Sequence, residues 1–299
     1  MTVAAALPSA NPLAATYCAD AALHLRATVI ENVAVARDTY RLRLACPELA
    51  RRIVPGQFVM IRLAGSDDPL LARPLALYDT WFDEAGAVAG IDVVYLVLGR
   101  MTRRLARVRG GETLTMWGPL GNGFTPRAVD RLIMVAGGIG QTPFLALGRE
   151  ALGGRQYGSP ARNAPRVRQA TLCYGVRTRD LLAGESDFRG AGIDLRISSD
   201  DGSVGHHGLV TELLAAALDE CDGAACQVVC CGPERMMEAV AELTAARGVA
   251  CEVSLETPMA CGVGICFSCV AKVRQGDGEW DYKRTCVEGP VFDAEKIVW

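Results

Sequence analysis

The chain has 299 residues, of which 50% are hydrophobic and 22% are charged, and it carries a formal net charge of -3 at neutral pH. This balance excludes fibrous and disordered classes and allows two or three globular domains. Acidic and basic residues are mixed along the sequence, so no basic stripe suited to nucleic acid is present, and no run of 18 apolar residues predicts a membrane span. Residues 1–22 contain no basic residue, so they predict a disordered N-terminal extension of a cytoplasmic protein rather than a secretory signal.

Residues 23–125 predict an antiparallel β-barrel. Short runs such as "TYRLRLAC" and "QFVMIRLA" alternate apolar and polar positions and are separated by proline and glycine. One helix is predicted within the barrel at "GRMTRRLARVR", where Leu105 and Val108 share an apolar face. The run "LARPLALYD" places Arg73 and Pro74 in a strand, where the arginine alone fits a surface side chain equally well.

Residues 126–256 predict a parallel α/β domain. "RLIMVAGGIGQTPFLALGREAL" reads as a buried strand, a glycine turn and a helix that begins near Thr142 and Pro143. Further strands are predicted at "QATLCYGV", "IDLRISS", "CQVVCCG" and "VACEVSLE", with helices between them. Residues 153–168 are rich in Gly, Pro and Arg and predict an exposed loop.

Two strand ends in this domain predict a nucleotide site. "VAGGIGQTPF" places a glycine turn before a helix N-terminus, where free N–H groups favour a diphosphate. "CCGPERMM" ends a second strand ahead of another helix. Each turn alone also fits a simple structural role, whereas two such ends at one crevice suit a nicotinamide nucleotide. The residues of this predicted site are Gly137, Gly138, Gly140, Cys231, Gly232 and Pro233.

Residues 257–299 predict a small metal-dependent domain, because a region this short rarely holds a large core of its own. Its four cysteines have the spacing C-x4-C-x2-C-x16-C, and the first three match the plant-type iron–sulfur pattern. Gly262 and Gly264 would allow close backbone approach to a cluster. A structural zinc site favours two repeated Cys pairs and fits less well, and a loop without metal is the third alternative. The predicted ligands are Cys261, Cys266, Cys269 and Cys286.

The other cysteines and the paired histidines are predicted to have no metal role. Free cysteines among apolar neighbours usually behave as small buried hydrophobic residues. His206 and His207 lie in "DDGSVGHHGLVT", where they are predicted to be turn residues. The cysteines in question are Cys18, Cys46, Cys173, Cys221, Cys226, Cys230, Cys231 and Cys251.

The barrel with its Arg-Pro strand, the Gly-Gly-x-Gly turn and the Cys-Gly-Pro strand end together resemble the ferredoxin–NADP reductase superfamily. Within it, "WGPLGNGF", "CGPERMM", "MACGVGICFSCVAKV" and "YKRTCVEGPVFDAEKI" closely resemble the electron-transfer subunit of the NAD-dependent, two-subunit dihydroorotate dehydrogenase, over about residues 25–299. The resemblance implies FAD on the barrel, a [2Fe–2S] cluster in the C-terminal loop and hydride exchange with NAD(H). It also implies an FMN-containing catalytic partner, in a heterotetramer with two copies of each chain, that oxidises dihydroorotate to orotate in pyrimidine biosynthesis.

The resemblance also implies flavin-binding positions in three short segments. Residues 73–76 would lie at the flavin diphosphate and ring, residues 95–97 along the flavin, and residues 101 and 102 at its phosphates. Ala76 stands where a hydroxyl residue is common, which removes a hydrogen bond near the flavin N5, and Met101 stands where glycine is common, which would crowd the phosphate turn. The full set is Arg73, Pro74, Leu75, Ala76, Tyr95, Leu96, Val97, Met101 and Thr102.

The preferred nicotinamide and the electron acceptor each have alternatives. Asp200 and Asp201 follow the strand "IDLRISS", where two carboxylates would repel the 2′-phosphate of NADPH, so NADH is the predicted donor. The aspartates alternatively start a solvent-facing turn, and Arg177 or Arg179 would favour the phosphate. Other functions that fit are a reductase subunit serving a hydrogenase or a glutamate-synthase-like partner, and a non-catalytic zinc-bearing interaction module.

Overall fold

The computed structural model describes residues 19–65, 67–276 and 278–299. Most of the predicted N-terminal extension, including Cys18, lies outside these residues. Within the described residues, no helix is both long enough and apolar enough to cross a membrane.

The first part of the chain forms a closed antiparallel barrel with the strand order β1-β2-β5-β4-β3-β6. Alternate apolar side chains of these strands fill its interior. The predicted barrel is therefore confirmed, and so is a helix within "GRMTRRLARVR". The elements are β1 Leu23–Ala36, β2 Thr39–Ala45, α1 Pro47–Ala50, β3 Phe58–Leu63, β4 Arg73–Phe82, β5 Val88–Leu96, α2 Arg100–Leu105 and β6 Thr113–Leu120.

The second part forms the predicted α/β domain around a seven-stranded sheet with the order β10-β9-β8-β7-β11-β12-β15. All neighbours are parallel except β15, which comes from the C-terminal region and pairs antiparallel with β12. The elements are β7 Arg131–Gly137, α3 Phe144–Ala151, β8 Gln169–Val176, α4 Glu185–Gly190, β9 Asp194–Ser199, β10 His206–His207, α5 Val210–Asp219, β11 Cys226–Cys231, α6 Glu234–Ala246, β12 Ala250–Ser254 and β15 Val291–Asp293.

The strand order of this sheet reverses between β7 and β11. From β7 the chain moves outward through β8 and β9, and it then returns to place β11 on the other side of β7. In open α/β sheets, ligands bind at the carboxyl ends of the strands beside such a reversal. The fold therefore singles out the ends of β7 and β11, which carry the two predicted nucleotide turns.

The C-terminal region packs on the barrel instead of holding a separate core. Between the cysteine loop and β15 it forms one antiparallel hairpin, β13 Val270–Arg274 with β14 Trp280–Arg284. Two of its cysteines join an apolar cluster with side chains from β3 and β6, in agreement with the expectation that so short a region lacks a large core. The fully buried members of that cluster are Phe58, Met60, Ala72, Leu120, Cys269, Cys286 and Val287.

The segment predicted as an exposed loop, residues 153–168, is exposed only in part. Tyr157 is 3% exposed and packs with the barrel core. Arg162 donates to the carboxylate of the buried Glu150 and to the carbonyl of Phe124. The composition correctly indicated an irregular segment, but two of its polar side chains anchor it between the domains.

Candidate functional site

The four predicted cysteine ligands form two thiol pairs, and the charge of Cys261 in the first acts on Cys286 in the second. Cys261 pairs with Cys266, and Cys269 pairs with Cys286. Hydrogen bonding from the Cys286 thiol lowers the pKa of Cys269 to about 6, and the same bond raises the pKa of Cys286. A charged sulfur is thus favoured within the second pair, as metal ligation requires.

Backbone N–H groups surround the first sulfur of the loop. The Val263 N–H donates to Cys261 Sγ at 3.4 Å. Burial opposes ionisation of Cys261, but bonds from the N–H groups of Cys266, Val263 and Ile265 outweigh it and lower the pKa of this thiol. Hydrogen bonds to the sulfurs are one of the factors that set the potential of an iron–sulfur cluster.

Two glycines let the loop curl tightly around its sulfurs. Gly262 and Gly264 have φ values of +73° and +82°, which side-chain-bearing residues rarely adopt. A Cβ on Gly262 would lie 2.6 Å from Cγ of Met60 on the barrel, so only glycine allows the loop to approach this strand. The Gly264 carbonyl accepts a bond of 3.0 Å from the Arg284 guanidinium.

The donor set fits a cluster with two irons. Four thiols arranged in two pairs match the four thiolates that hold [2Fe–2S]. Among the residues that the structure describes, no group of three or more Cys, His, Asp or Glu side chains is arranged to hold a metal ion. The assignment of the cluster rests on the cysteine spacing, the two pairs and the backbone donors.

The cysteine loop is buried on one side and exposed on the other. Cys269 and Cys286 are 1% and 0% exposed, and the Trp117 indole N–H of β6 donates to the Cys261 carbonyl at 2.9 Å. At the opposite side Cys266 is exposed, between Ile265 at 80% and Phe267 at 61% exposure. The loop therefore connects the barrel with the protein surface.

The two predicted nucleotide turns are in direct contact. Ala136, the last residue but one of β7, pairs with Cys231 at the end of β11. A Cβ on Gly140 would lie 2.2 Å from the Cys231 carbonyl oxygen, and a Cβ on Gly232 would lie 2.9 Å from the Gly137 nitrogen. The structure thus brings together all six residues of the predicted site, and glycine is required where the turns touch.

Gly138 has a different environment within the same turn. Its φ is +55°, and a Cβ built on it would meet no atom within 4 Å. The turn therefore leaves open space at the N-terminal side of α3, which is where a diphosphate is expected. Pro233 follows Gly232 at the start of α6, and its ring borders Gly137.

The predicted flavin strand runs beside the strand that contacts the cysteine loop. On β4, Leu75 faces the barrel interior, while Pro74 and Ala76 are partly exposed on the outer face. Ala76 pairs with Phe58, and Pro74 pairs with Met60, on the neighbouring strand β3. Paired residues of neighbouring strands lie about 5 Å apart, so a flavin on this face would be close to the loop that packs on Met60. Arg73 begins β4 and donates to the Ala72 carbonyl at 2.9 Å.

The other predicted flavin residues divide between core and surface. The Tyr95 side chain is 1% exposed inside the barrel, where its hydroxyl donates to Asn32 at 3.0 Å, so it does not lie along the outer face. Leu96 and Val97 are partly exposed. Thr102 accepts the N–H groups of Leu98 and Gly99, at 3.0 and 3.1 Å, and so caps the start of α2.

Met101 does not crowd the turn that the resemblance places at the flavin phosphates. Its side chain is 1% exposed and packs in the barrel core with Leu105, four residues further along α2. The helix turns this side chain inward and leaves the backbone of the turn accessible.

The aspartates at the end of β9 act partly as turn residues. Asp201 accepts the Ser203 N–H at 3.0 Å and the Ser203 hydroxyl at 2.6 Å, and these bonds lower the pKa of its carboxyl. Asp200 and Arg177 are exposed at the same edge. The paired histidines are exposed but form the short strand β10, so the prediction that they are turn residues was wrong.

Seven of the eight other cysteines lie within the described residues, and all seven are free. Five are buried, as predicted, whereas Cys226 and Cys231 are partly exposed. Part of the Cys231 residue is exposed, but its thiol is buried; this burial, and then the charge of Glu256, raises the pKa of the thiol to about 12, so it stays neutral at the nucleotide turns. Glu256 and Trp117 were not identified from the sequence, because no local pattern indicates their distant partners.

The barrel, the paired strand ends and the two thiol pairs define an NAD-linked flavin reductase that carries an iron–sulfur domain. Three family models match: the oxidoreductase FAD-binding domain at residues 26–124, the oxidoreductase NAD-binding domain at 134–242, and the iron-sulfur cluster binding domain of dihydroorotate dehydrogenase B at 256–298. The chain is 35% identical, over 91% of its length and 97% of the relative, to a protein of Desulforamulus reducens named dihydroorotate dehydrogenase B (NAD(+)), electron transfer subunit. It belongs to the family of these electron transfer subunits.

Further relatives agree with this family. The protein of the same name from Bacillus caldolyticus is 34% identical, over 91% of this chain and 98% of the relative. A solved structure of an NADH-dependent reduced ferredoxin-NADP oxidoreductase, determined in work on flavin-based electron bifurcation, is 27% identical with a TM-score of 0.72 and covers 91% of this chain and 90% of its own. A ferredoxin reductase of carbazole 1,9a-dioxygenase shares the fold at 19% identity and a TM-score of 0.62, over 76% of this chain and 67% of its own.

Proposed function

We propose that this chain is an electron-transfer subunit that carries electrons between NAD(H) and a partner flavoprotein that oxidises dihydroorotate to orotate. The observation that supports this most strongly is the position of β3. Its residues pair with the predicted flavin strand on one side, through Phe58 and Ala76, and its Met60 side chain packs against the cysteine loop on the other. The strand β3 thus lies between the proposed site of the flavin, a two-electron carrier, and the proposed site of the iron–sulfur cluster, a one-electron carrier.

The nucleotide would bind at the reversal point of the α/β sheet. The open space beside Gly138 would take the diphosphate, and the contact between Gly140 and Cys231 holds the two strand ends at a fixed separation. The neutral Cys231 thiol presents no charge to the nicotinamide ring.

The flavin would lie on the outer face of β4. Arg73 supplies the positive charge for its diphosphate. Thr102 accepts the backbone N–H groups of Leu98 and Gly99 and so holds the start of α2 in place. The absence of a hydroxyl at Ala76 leaves the ring edge without a side-chain donor at that position. Bound FAD would supply the exchange between a two-electron and a one-electron carrier, which no side chain provides.

The cluster would be held by the two thiol pairs, with Cys269 and Cys286 on the buried side and Cys266 at the surface. Backbone and side-chain groups around the sulfurs donate hydrogen bonds, and Trp117 fixes the loop on the barrel. During dihydroorotate oxidation, electrons would therefore enter at the exposed side and reach the flavin from the barrel side.

Exposed apolar side chains extend from the exposed cysteine along β14 and suit a partner protein. Trp280 and Tyr282 of β14 are 45% and 51% exposed, and Arg284 on the same face of this strand lies over the Phe267 ring at 5.0 Å. Exposed large apolar residues that lie together mark interaction sites more often than single ones do. We call this the cluster-loop surface: Ile265, Cys266, Phe267, Trp280 and Tyr282.

The partner is proposed to be an FMN-containing catalytic subunit, in a heterotetramer with two copies of each chain. The names of the relatives support this assignment, because they describe electron transfer subunits of dihydroorotate dehydrogenase B. The protein is proposed to act in the cytoplasm, since all cysteines in the described ranges are free, as is usual in a reducing compartment.

A second candidate is a subunit that serves a different acceptor. The solved oxidoreductase structure that is 27% identical over most of both chains supports it. The named relatives are more similar, at 34–35% identity over the same share of this chain, so dihydroorotate oxidation remains the first proposal.

Reconstitution with a dihydroorotate dehydrogenase catalytic subunit from the same organism tests the function. We expect the chain alone to reduce an artificial dye with NADH, and only the mixture to form orotate from dihydroorotate and NAD⁺. Orotate formation by the chain alone, or none in the mixture while dye reduction is intact, would contradict the proposal.

Two exposed apolar residues provide a matched test of the docking surface. Ile265→Ser should weaken electron transfer to the partner and leave NADH-dependent dye reduction unchanged. Leu209→Ser removes a similarly exposed side chain, 63% exposed at the start of α5, and should leave both activities unchanged. Equal losses in the two variants would exclude a special role for the cluster-loop surface.

A further inference from the structure

One buried carboxylate, Asp79, joins the predicted flavin strand to the nucleotide domain. It lies on β4, three residues after Ala76, and its side chain is 6% exposed. Three donors from the nucleotide domain converge on it. Arg155 Nη1 and the Tyr157 hydroxyl donate to Oδ1 at 2.8 and 2.7 Å, and Arg149 donates to Oδ2. We call these four residues the Asp79 cluster.

The backbone of β4 is irregular where Asp79 leaves it. Leu77 pairs with Val93 and Asp79 pairs with Asp92, so the register contains a bulge at Tyr78. Bulges redirect side chains and are common beside active sites. Here the bulge sends Leu77 into the barrel core and directs Tyr78 and Asp79 to the nucleotide domain.

The donors come from the helix that follows the predicted nucleotide turn and from the segment after that helix. The glycine turn, residues Gly138–Gln141, is followed directly by α3, which carries Arg149 on its last turn. Arg155 and Tyr157 belong to the segment after α3, and Arg155 also lies over the Phe82 ring of β4 at 4.8 Å. Through Arg149, the chain therefore connects the flavin strand and its carboxylate with α3 and the nucleotide turn.

A second contact supports the same alignment. The Tyr78 hydroxyl donates to Asp187 of α4 at 2.8 Å, and a Cβ on Gly184 would lie 2.5 Å from that hydroxyl, so glycine makes room for it. Two consecutive residues of β4 thus bind two helices of the nucleotide domain.

We infer that Asp79 is a positioning residue for hydride transfer, because it sets the spacing between the flavin strand and the nucleotide turn. The inference rests on the proposed function. In that reaction a hydride leaves NADH, which becomes NAD⁺, and is taken up by oxidised FAD together with a proton from solvent. Asp79 touches neither reactant. A displacement of about 1 Å between reacting groups lowers a rate by up to about 100-fold, so a carboxylate that fixes two domains affects the transfer from a distance.

A second buried carboxylate provides a matched control. Asp92 is 7% exposed and accepts two bonds of 2.8 Å from Arg43. Both residues of this ion pair belong to barrel strands, although Asp92 is also the cross-strand neighbour of Asp79. Asp92→Asn therefore removes a buried charge beside Asp79 and leaves the three donors of the Asp79 cluster in place.

The experiment compares Asp79→Asn and Asp92→Asn in the chain loaded with flavin and cluster. Stopped-flow reduction by NADH gives the limiting rate and the Kd for NADH, and the charge-transfer absorbance of the complex reports how closely nicotinamide and flavin stack. We expect Asp79→Asn to lower the limiting rate at least about tenfold and to weaken the charge-transfer absorbance, with flavin content and Kd little changed. Asp92→Asn should lower the thermal midpoint without either effect.

Amide hydrogen exchange supplies a readout that does not depend on activity. In Asp79→Asn, exchange should increase in residues 144–168, whereas in Asp92→Asn it should increase in β2 and β5. Tyr157→Phe removes one hydrogen bond from the Asp79 cluster and serves if Asp79→Asn does not fold, with a smaller loss of rate expected. An unchanged limiting rate, or equal losses in Asp79→Asn and Asp92→Asn, overturns the inference. If NADH does not reduce the wild-type flavin, the proposed function itself fails.

Discussion

Replacement of Gly140 by alanine tests the contact between the two nucleotide turns. The added Cβ would lie 2.2 Å from the Cys231 carbonyl oxygen, 2.6 Å from its carbon and 2.8 Å from the Gly232 nitrogen. All three are backbone atoms, so no side chain can rotate away. To restore the roughly 3.0 Å that Cβ contacts require, the ends of β7 and β11 must separate by about 0.8 Å.

The expected effect follows from this displacement. Overpacking of this kind costs about 1–3 kcal/mol, and the reduced freedom of the unfolded chain offsets about 0.4–1 kcal/mol of it. The thermal midpoint should fall by several degrees. Because the shift lies at the predicted nicotinamide site, flavin reduction by NADH should slow by about 10- to 100-fold.

Gly190→Ala is the control for this variant. Gly190 ends α4 in the same domain, and a Cβ there would meet no atom within 4 Å. Thermal unfolding and stopped-flow flavin reduction should show no loss for this variant. A Gly140→Ala protein with the wild-type thermal midpoint and the wild-type rate of flavin reduction would show that the two turns are not in this contact.

Three further predictions concern the cluster and the nicotinamide. Cys286→Ser should abolish the iron–sulfur absorption and leave the flavin bound, whereas Cys226→Ser should retain both; unchanged iron and sulfide in the first variant would remove Cys286 from the ligands. The carboxylates of residues 200–201 should give NADH at least about a tenfold advantage in kcat/KM over NADPH in dye reduction, and a ratio of one or less would contradict this. Trp117→Phe leaves the Cys261 carbonyl without its donor, which should cost about 1 kcal/mol and speed the loss of cluster iron to a chelator; an unchanged rate would show that the bond does not hold the loop.

The sequence predicted the features that depend on neighbouring residues. Strand alternation, the strand-turn-helix around Gly138 and the cysteine spacing are local patterns, and each was found in the structure where it was expected. The alternation along β5 also predicts that Tyr95 faces inward, because Tyr95 shares a face of the strand with Val93, which lies in the barrel core. The flavin positions carried over by resemblance did not take this alternation into account.

The sequence did not predict features that depend on distant residues. Asp79 is 70 positions from Arg149, and Trp117 is 144 positions from Cys261. No spacing rule connects such pairs, since only the packed fold brings them together. Composition likewise gave no indication that Tyr157, within a polar loop, is buried against the barrel.

An anaerobic titration with NADH, followed by electron paramagnetic resonance and visible absorption, tests the central claim most directly. FAD takes two electrons and a [2Fe–2S] cluster takes one, so full reduction is expected to need about 1.5 NADH per chain. We expect bleaching of the flavin together with the resonance signal of a reduced [2Fe–2S] cluster. Flavin bleaching at one NADH per chain with no such signal would contradict electron transfer from the flavin to the cysteine loop.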